Sequence, residues 1–344
     1  MSDTQAKTIA VTGATGYVAA WVVRELLSRG HTVHGTARSL SPDKVGWLEA
    51  MAAEEPGELK LFSADLLQEG SFDAAVANCD ILVHTASPFV LQGITDPQAQ
   101  LVDPAKRGTA NALGSASRTP SVKRVVVTSS IVATVGDAIE CESGPRNESH
   151  WNETSRLDHQ PYGLSKTEAE REAWRIAEAQ DQWTLAVINP GFVMGPSIPP
   201  ERRTSESLEF MAKMAKGTWA TGIIDHSTGF VDVRDLAVAH AEAALRPDAG
   251  GRHICVSEHI TFFEFGQLLE RKFGKRVKPP ARLLPKWLLW LIGPSQGITR
   301  EYVKKNVGYH FRFDNSRSIE KLGMNYRPLE TTLIEHAEQF LAQR

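Results

Sequence analysis

Apolar residues in this chain gather in short blocks, spaced by longer stretches whose apolar positions recur at helical period. Residues 8–12 (Thr-Ile-Ala-Val-Thr) form the first block, β-branched and small, and it reads as a buried strand. Similar blocks follow at 32–37, 59–63, 81–85, 125–129, 185–189 and 253–257. Helical spacing covers about 97–118, 162–180, 205–215 and 233–245. Near-continuous strands alternating with helices predict an α/β fold: a Rossmann-type doubly wound parallel sheet covered on both faces.

The rhythm changes after Pro190. Prolines cluster at Pro196, Pro199 and Pro200, then at Pro279, Pro280, Pro285 and Pro294, and the tail is mostly helical in pattern. The expected organisation is a nucleotide-binding Rossmann domain over 1–190 with returning segments near 230–260. A smaller substrate region takes 191–229 and 261–344.

The first block runs into Gly13-Ala14-Thr15-Gly16-Tyr17-Val18-Ala19, and an apolar helical run follows through Val22, Val23, Leu26 and Leu27. Gly13 permits a tight turn. Gly16 lets backbone N–H groups approach a pyrophosphate at a helix N-terminus, and Ala19 allows close packing of helix on strand. Thr15, Tyr17 and Val18 ride on the same turn. About 20 residues past the glycines, where an acidic residue commonly binds the ribose 2′-hydroxyl of NAD, stands Arg38, with Lys44 further on. A guanidinium forks onto a 2′-phosphate that a carboxylate would repel, so the cofactor expected is NADP rather than NAD.

Tyr162-Gly163-Leu164-Ser165-Lys166 places a phenol and an ammonium one helical turn apart. A neighbouring cation stabilises a phenolate and lowers the phenol pKa, which suits proton transfer to a carbonyl. Further ligand positions are expected at the carboxyl ends of strands. These are Asp65 and Leu66 beside adenine, Thr85 and Ser87 after the fourth block, Ser129 and Ser130 after the fifth, and Pro190 and Val193 after the sixth.

Composition narrows the classes. The chain has 344 residues and a net charge of −3, with no electrostatic footprint for nucleic acid. Its longest basic cluster, Arg271 to Arg276, reads as a solvated helix end. The apolar run from Leu283 to Ile292 is too short to span a bilayer. Cys79, Cys141 and Cys255 form neither a disulfide framework nor a metal spacing. Met1 to Lys7 is polar, without a targeting signal, so a cytoplasmic location is the default. The expectation is a monomer or homodimer acting on a small molecule, without metal, nucleic acid or membrane partner.

The glycine turn, Thr128-Ser129-Ser130 and Tyr162-x-x-x-Lys166, in that order, resemble an extended short-chain dehydrogenase/reductase. The likeness runs over essentially the whole chain, including Arg312-Phe313-Asp314-Asn315-Ser316 and Leu322-Gly323. Within that superfamily, His84-Thr85-Ala86-Ser87-Pro88 and Ile188-Asn189-Pro190-Gly191-Phe192-Val193-Met194-Gly195-Pro196 are most similar to the dihydroflavonol, cinnamoyl-CoA and methylglyoxal reductase group. Ile131-Val132 stands where sugar dehydratases usually carry Asp-Glu, which argues against dehydration.

The resemblance implies NADPH-dependent reduction of an aldehyde or ketone. Tyr162 would be general acid and base, Lys166 would bind the nicotinamide ribose and lower the phenol pKa, and Ser130 would be the catalytic serine. Asn111 matches a helix asparagine of the family. The implied substrate pocket is apolar or aromatic, from Phe89, Ile131, Val132, Phe192, Met194, Trp219 and Ile223. A sugar-nucleotide epimerase or hydroxysteroid dehydrogenase remains the alternative, followed by a non-catalytic NADP-sensing protein.

Overall fold

The computed structural model describes residues 6–87, 93–199 and 205–343. Among the described residues ten strands form: β1 (Thr8–Thr12), β2 (Thr32–Ala37), β3 (Glu58–Ser63), β4 (Ile81–His84), β5 (Arg124–Thr128), β6 (Thr184–Pro190), β7 (Phe192–Met194), β8 (Ser227–Asp232), β9 (Gly251–Cys255) and β10 (Glu258–Thr261). Seven build one parallel sheet in the order β3-β2-β1-β4-β5-β6-β9. The remaining three form a small sheet, β10-β8-β7.

Burial on both faces explains why the main strands are so apolar. Ile9 and Val11 of β1 pack with Val22, Leu26 and Leu236, among the helices Tyr17–Ser28 and Val233–Leu245. Ala10, on the opposite face, joins Leu82, Ala112 and Leu113, beside the helix Asp103–Arg118. Successive residues point to opposite layers, and each layer is capped by helices. The chain winds outward from β1 to β3, returns, and winds the other way from β4. The strand order therefore reverses between β1 and β4, and a crevice opens outside their carboxyl ends.

A third apolar cluster underlies the small sheet. Met194, Met211, Ile223, Phe230, Phe265 and Leu333 meet there, drawn from β7, β8 and the helices Glu206–Lys216, Phe262–Phe273 and Leu329–Ala342. The two sheets touch where β6 turns into β7. A Cβ placed on Gly191 would lie 2.4 Å from the carbonyl oxygen of Gly229, so only glycine allows these backbones to meet.

Among the described residues, no helix is long and apolar enough to cross a membrane, and no group of three potential metal ligands occurs. Cys79, Cys141 and Cys255 are buried free thiols.

Candidate active site

A cleft of about 870 Å³ occupies the crevice at the carboxyl ends of β1, β4 and β5. Its floor is the glycine turn. Gly13 holds φ +66°, and a Cβ there would lie 3.1 Å from Ala86 Cβ. Gly16 caps the helix Tyr17–Ser28 without a side-chain cap or an acidic residue in the first turn. The first intrahelical bond runs from Ala20 N to Gly16 O at 2.9 Å, so the N–H groups of Tyr17, Val18 and Ala19 precede it. Thr15, Gly16, Tyr17 and Val18 line the cleft. This uncapped positive helix end suits a diphosphate.

Side chains fix the turn against its neighbours. Thr12 Oγ1 accepts from Thr85 N at 3.1 Å and from Ala86 N at 3.0 Å. The Thr85 hydroxyl donates to Thr12 O at 2.5 Å. Tyr17 Oη donates to Gly195 O at 2.7 Å, and Trp21 Nε1 donates to Pro196 O at 2.8 Å, tying this helix to the loop after β7.

Arg38 emerges from β2 at one end of the cleft, exposed, with no carboxylate partner among the described residues. Lys44 does not reach the cleft. It sits on the helix Pro42–Ala52 with its ammonium 3.0 Å from Asp43. Asp65 and Leu66 form the adjoining wall. Asn111 braces this wall: its Nδ2 donates to Leu66 O at 3.1 Å and Gln68 O at 2.6 Å, and its Oδ1 accepts from Gly70 N at 2.9 Å. Its amide is thus engaged in holding a loop.

The opposite end of the cleft brings Ser130, Tyr162 and Lys166 together. Ser130 caps a short 3-10 turn, Ile131–Ala133, and its Oγ accepts from Val132 N at 3.3 Å. Ser129 is buried. Tyr162 and Lys166 lie in the first turns of the helix Pro161–Glu178, whose start is fixed by Pro161 and by Gln160, which donates to Gly136 O at 2.6 Å. Lys166 Nζ donates to Ser87 Oγ at 3.1 Å and lies 5.8 Å from the centroid of the Tyr162 ring.

Burial governs both ionisable groups. It pushes the Lys166 ammonium down to about 8. It pushes the Tyr162 phenol up, and the charge of Glu206 raises it further. Burial is the larger of the two causes and sets the phenol on its protonated side. The ring sits in a desolvated wall, close enough to Glu206 to sense its charge.

The apolar lining is divided. Ile131, Val132, Phe192, Val193 and Pro190 face the cleft. Met194, Trp219 and Ile223 do not. Met194 and Ile223 are buried in the third core, and Trp219 packs on Phe210 with ring centroids 5.3 Å apart. Phe89 lies outside the described residues. Sequence reasoning overlooked Ser205, Glu206 and Ser207, which line the cleft from the first turn of the helix Glu206–Lys216. Ser205 as an N-cap followed by an acidic first turn was the available signal.

The fold and this site define an extended short-chain dehydrogenase/reductase: the chain belongs to the NAD dependent epimerase/dehydratase family, which matches residues 9–257. Its relatives fall in the dihydroflavonol reductase-like group. It is 40% identical to tetraketide alpha-pyrone reductase 2 of Arabidopsis thaliana over 76% of this chain and 82% of that protein. It is 34% identical to cinnamoyl-CoA reductase CAD2 of Medicago truncatula over 96% of this chain and 94% of that one. Among solved structures, Gre2 of Candida albicans in complex with NADPH superposes with a TM-score of 0.79 at 27% identity, over 98% of this chain and 99% of that one.

Proposed function

We propose that this protein is an NADPH-dependent carbonyl reductase. It converts a small apolar or aromatic aldehyde or ketone to the alcohol, reversibly. The observation that carries this reading is one cleft that holds Ser130, Tyr162 and Lys166 at one end, and the glycine turn with Arg38 at the other. The reductase names of the relatives and the NADPH in the Candida albicans structure support it.

The residues fit the cofactor. The Gly13–Val18 turn would receive the diphosphate, Arg38 the 2′-phosphate, and Asp65 and Leu66 the adenosine end. Thr85, Ser87, Lys166, Pro190 and Val193 would flank the nicotinamide ribose. When bound, reduced nicotinamide supplies a hydride to the carbonyl carbon. Ser130 Oγ donates a hydrogen bond to the carbonyl oxygen and steadies the negative charge that grows there. Tyr162 Oη gives that oxygen its proton. A phenol kept protonated by burial is the correct starting state for this step. The phenolate left behind is stabilised by the Lys166 ammonium. The segments 191–229 and 261–344 would shape the substrate side, with Ile131, Val132 and Phe192 as its apolar contacts.

The test is a panel of aldehydes and ketones with NADPH and NADH, followed by cofactor absorbance. Tyr162→Phe should lower turnover by roughly 10²-fold or more while NADPH still binds. Near-native turnover in that variant, or isomerisation of a UDP-sugar without net cofactor consumption, would overturn the proposal.

A further inference from the structure

The stretch from Arg271 to Arg300 lies outside the cleft and serves none of the chemistry above. It carries eight Lys or Arg residues and no Asp or Glu, in a chain whose net charge is −3. All eight are exposed. The same stretch holds five of the nine large apolar side chains exposed in the described chain, all between Leu283 and Ile292. Singly exposed apolar residues are ordinary, but their concentration in one segment is not.

The helix Lys286–Ile292 explains the arrangement. Leu289 turns inward, 3% exposed, onto Val303 and Val307. Trp287, Trp290 and Leu291, spaced i, i+3, i+4, form the outward face. Trp287 is 69% exposed and Leu291 61%. Lys286 pins the start of the helix by donating to Val307 O at 2.8 Å. The Arg300 guanidinium lies 4.2 Å from the centroid of the Trp290 ring, so cation and aromatic share one surface.

From this face we infer that the protein docks peripherally on an anionic lipid surface. Indole rings settle at the headgroup level, where one edge is apolar and the other wet. Arg300, against Trp290, and the other exposed Lys and Arg of the stretch are attracted to anionic headgroups. The helix lies in the interface plane, consistent with its being too short to cross. A second copy of this chain fits less well, because a two-fold contact through this face would set cations against cations. Nucleic acid would use the cations and indoles but leaves Leu283, Leu291 and Ile292 without a role. This inference departs from the expectation of no membrane partner and is independent of the catalytic reading.

The full chain is tested by co-sedimentation with vesicles of phosphatidylcholine mixed with phosphatidylglycerol, against phosphatidylcholine alone. Binding should be at least about tenfold tighter to the anionic vesicles and should weaken as salt rises. Trp287→Ser with Leu291→Ser should weaken it about tenfold or more without shifting the melting temperature, because both side chains are exposed. Lys275→Gln with Lys278→Gln and Arg282→Gln should erase the preference for anionic lipid. Absence of wild-type binding to anionic vesicles overturns the inference, as does undiminished binding by the Trp287/Leu291 variant. So does a wild-type dimer abolished by that variant without vesicle binding, or single-stranded DNA bound more tightly than the vesicles.

Discussion

Ser129 Oγ donates to Glu170 Oε2 at 2.5 Å inside the protein, and this bond distinguishes two adjacent serines that both border the cleft. Glu170 also receives Asn189 Nδ2 at 2.8 Å and Arg252 Nε at 2.5 Å. Asn189 Nδ2 in turn donates to Ser130 O at 3.1 Å. The buried network thus absorbs the Ser129 hydroxyl and grips the backbone of Ser130, whose own hydroxyl stays outside that network and accepts from Val132 N.

The two serines should therefore fail differently. Ser129→Ala removes a hydrogen bond to a buried carboxylate and should cost about 1.5–3 kcal/mol of stability. Ser130→Ala should leave the melting temperature nearly unchanged and lower turnover by about 10²-fold, the scale for losing one donor to a developing oxyanion. Thermal melts and steady-state rates on both variants decide it. The reverse pattern would assign the reacting serine to position 129.

Lys166 sets a pH limit. Its ammonium, pushed down to about 8 by burial, is present below that pH and lost above it. Carbonyl reduction should decline as pH rises through about 8, because the phenolate formed at Tyr162 then lacks its cation. Lys166→Arg stays charged across this range and should remove that limb from the kcat/KM profile, at a lower plateau because the planar fork does not match the ammonium. A limb at the same pH in Lys166→Arg would assign it to another group.

Glu206 acts on the phenol from the other side. Its charge raises the Tyr162 pKa, so Glu206→Gln should lower it. In alcohol oxidation, where the phenolate serves as base, the ascending limb of the pH profile should move to lower pH. An unmoved limb would show that Glu206 does not sense the phenol.

On the proposed reading, Arg38 governs cofactor choice. Arg38→Ala should weaken NADPH binding roughly tenfold to a hundredfold, the equivalent of about 1.5–3 kcal/mol for a charge-assisted bond. NADH should lose little, and the NADPH effect should shrink with salt at this exposed position. Lys44→Ala should change neither, since Lys44 is exposed and paired with Asp43. Fluorescence titrations with both nucleotides measure this. Equal losses for the two would refute the assignment.

The main sheet was legible because parallel strands buried on both faces must be apolar throughout, and those blocks stand out from amphipathic spacers. The helix of Tyr162 and Lys166 was legible from its turn spacing, and the structure starts it at Pro161. The small sheet was not. β7 has three residues, and β8 sets only Phe230 and Val231 among Ser, Thr, Gly and Asp, so neither shows a period. Met194 and Ile223 illustrate a related limit. An apolar residue near a ligand loop suits a pocket wall and a core equally, and only tertiary packing assigns it. The helix Phe262–Phe273 had a readable start, since Thr261 and Glu264 form a reciprocal capping box.

The contact of Gly191 with Gly229 bears on how this scaffold can diversify. The seam between the sheets is backbone on backbone, with no room for a side chain on Gly191. Variation there would wedge the two sheets apart and disturb the reacting groups and the cofactor floor together. The first turn of the helix Glu206–Lys216 reaches the same cleft from outside that seam. New specificities should accordingly arise by exchange at Ser205 and Ser207, where the lining changes while the sheet seam is inherited intact; exchange at Glu206 would retune the Tyr162 phenol as well.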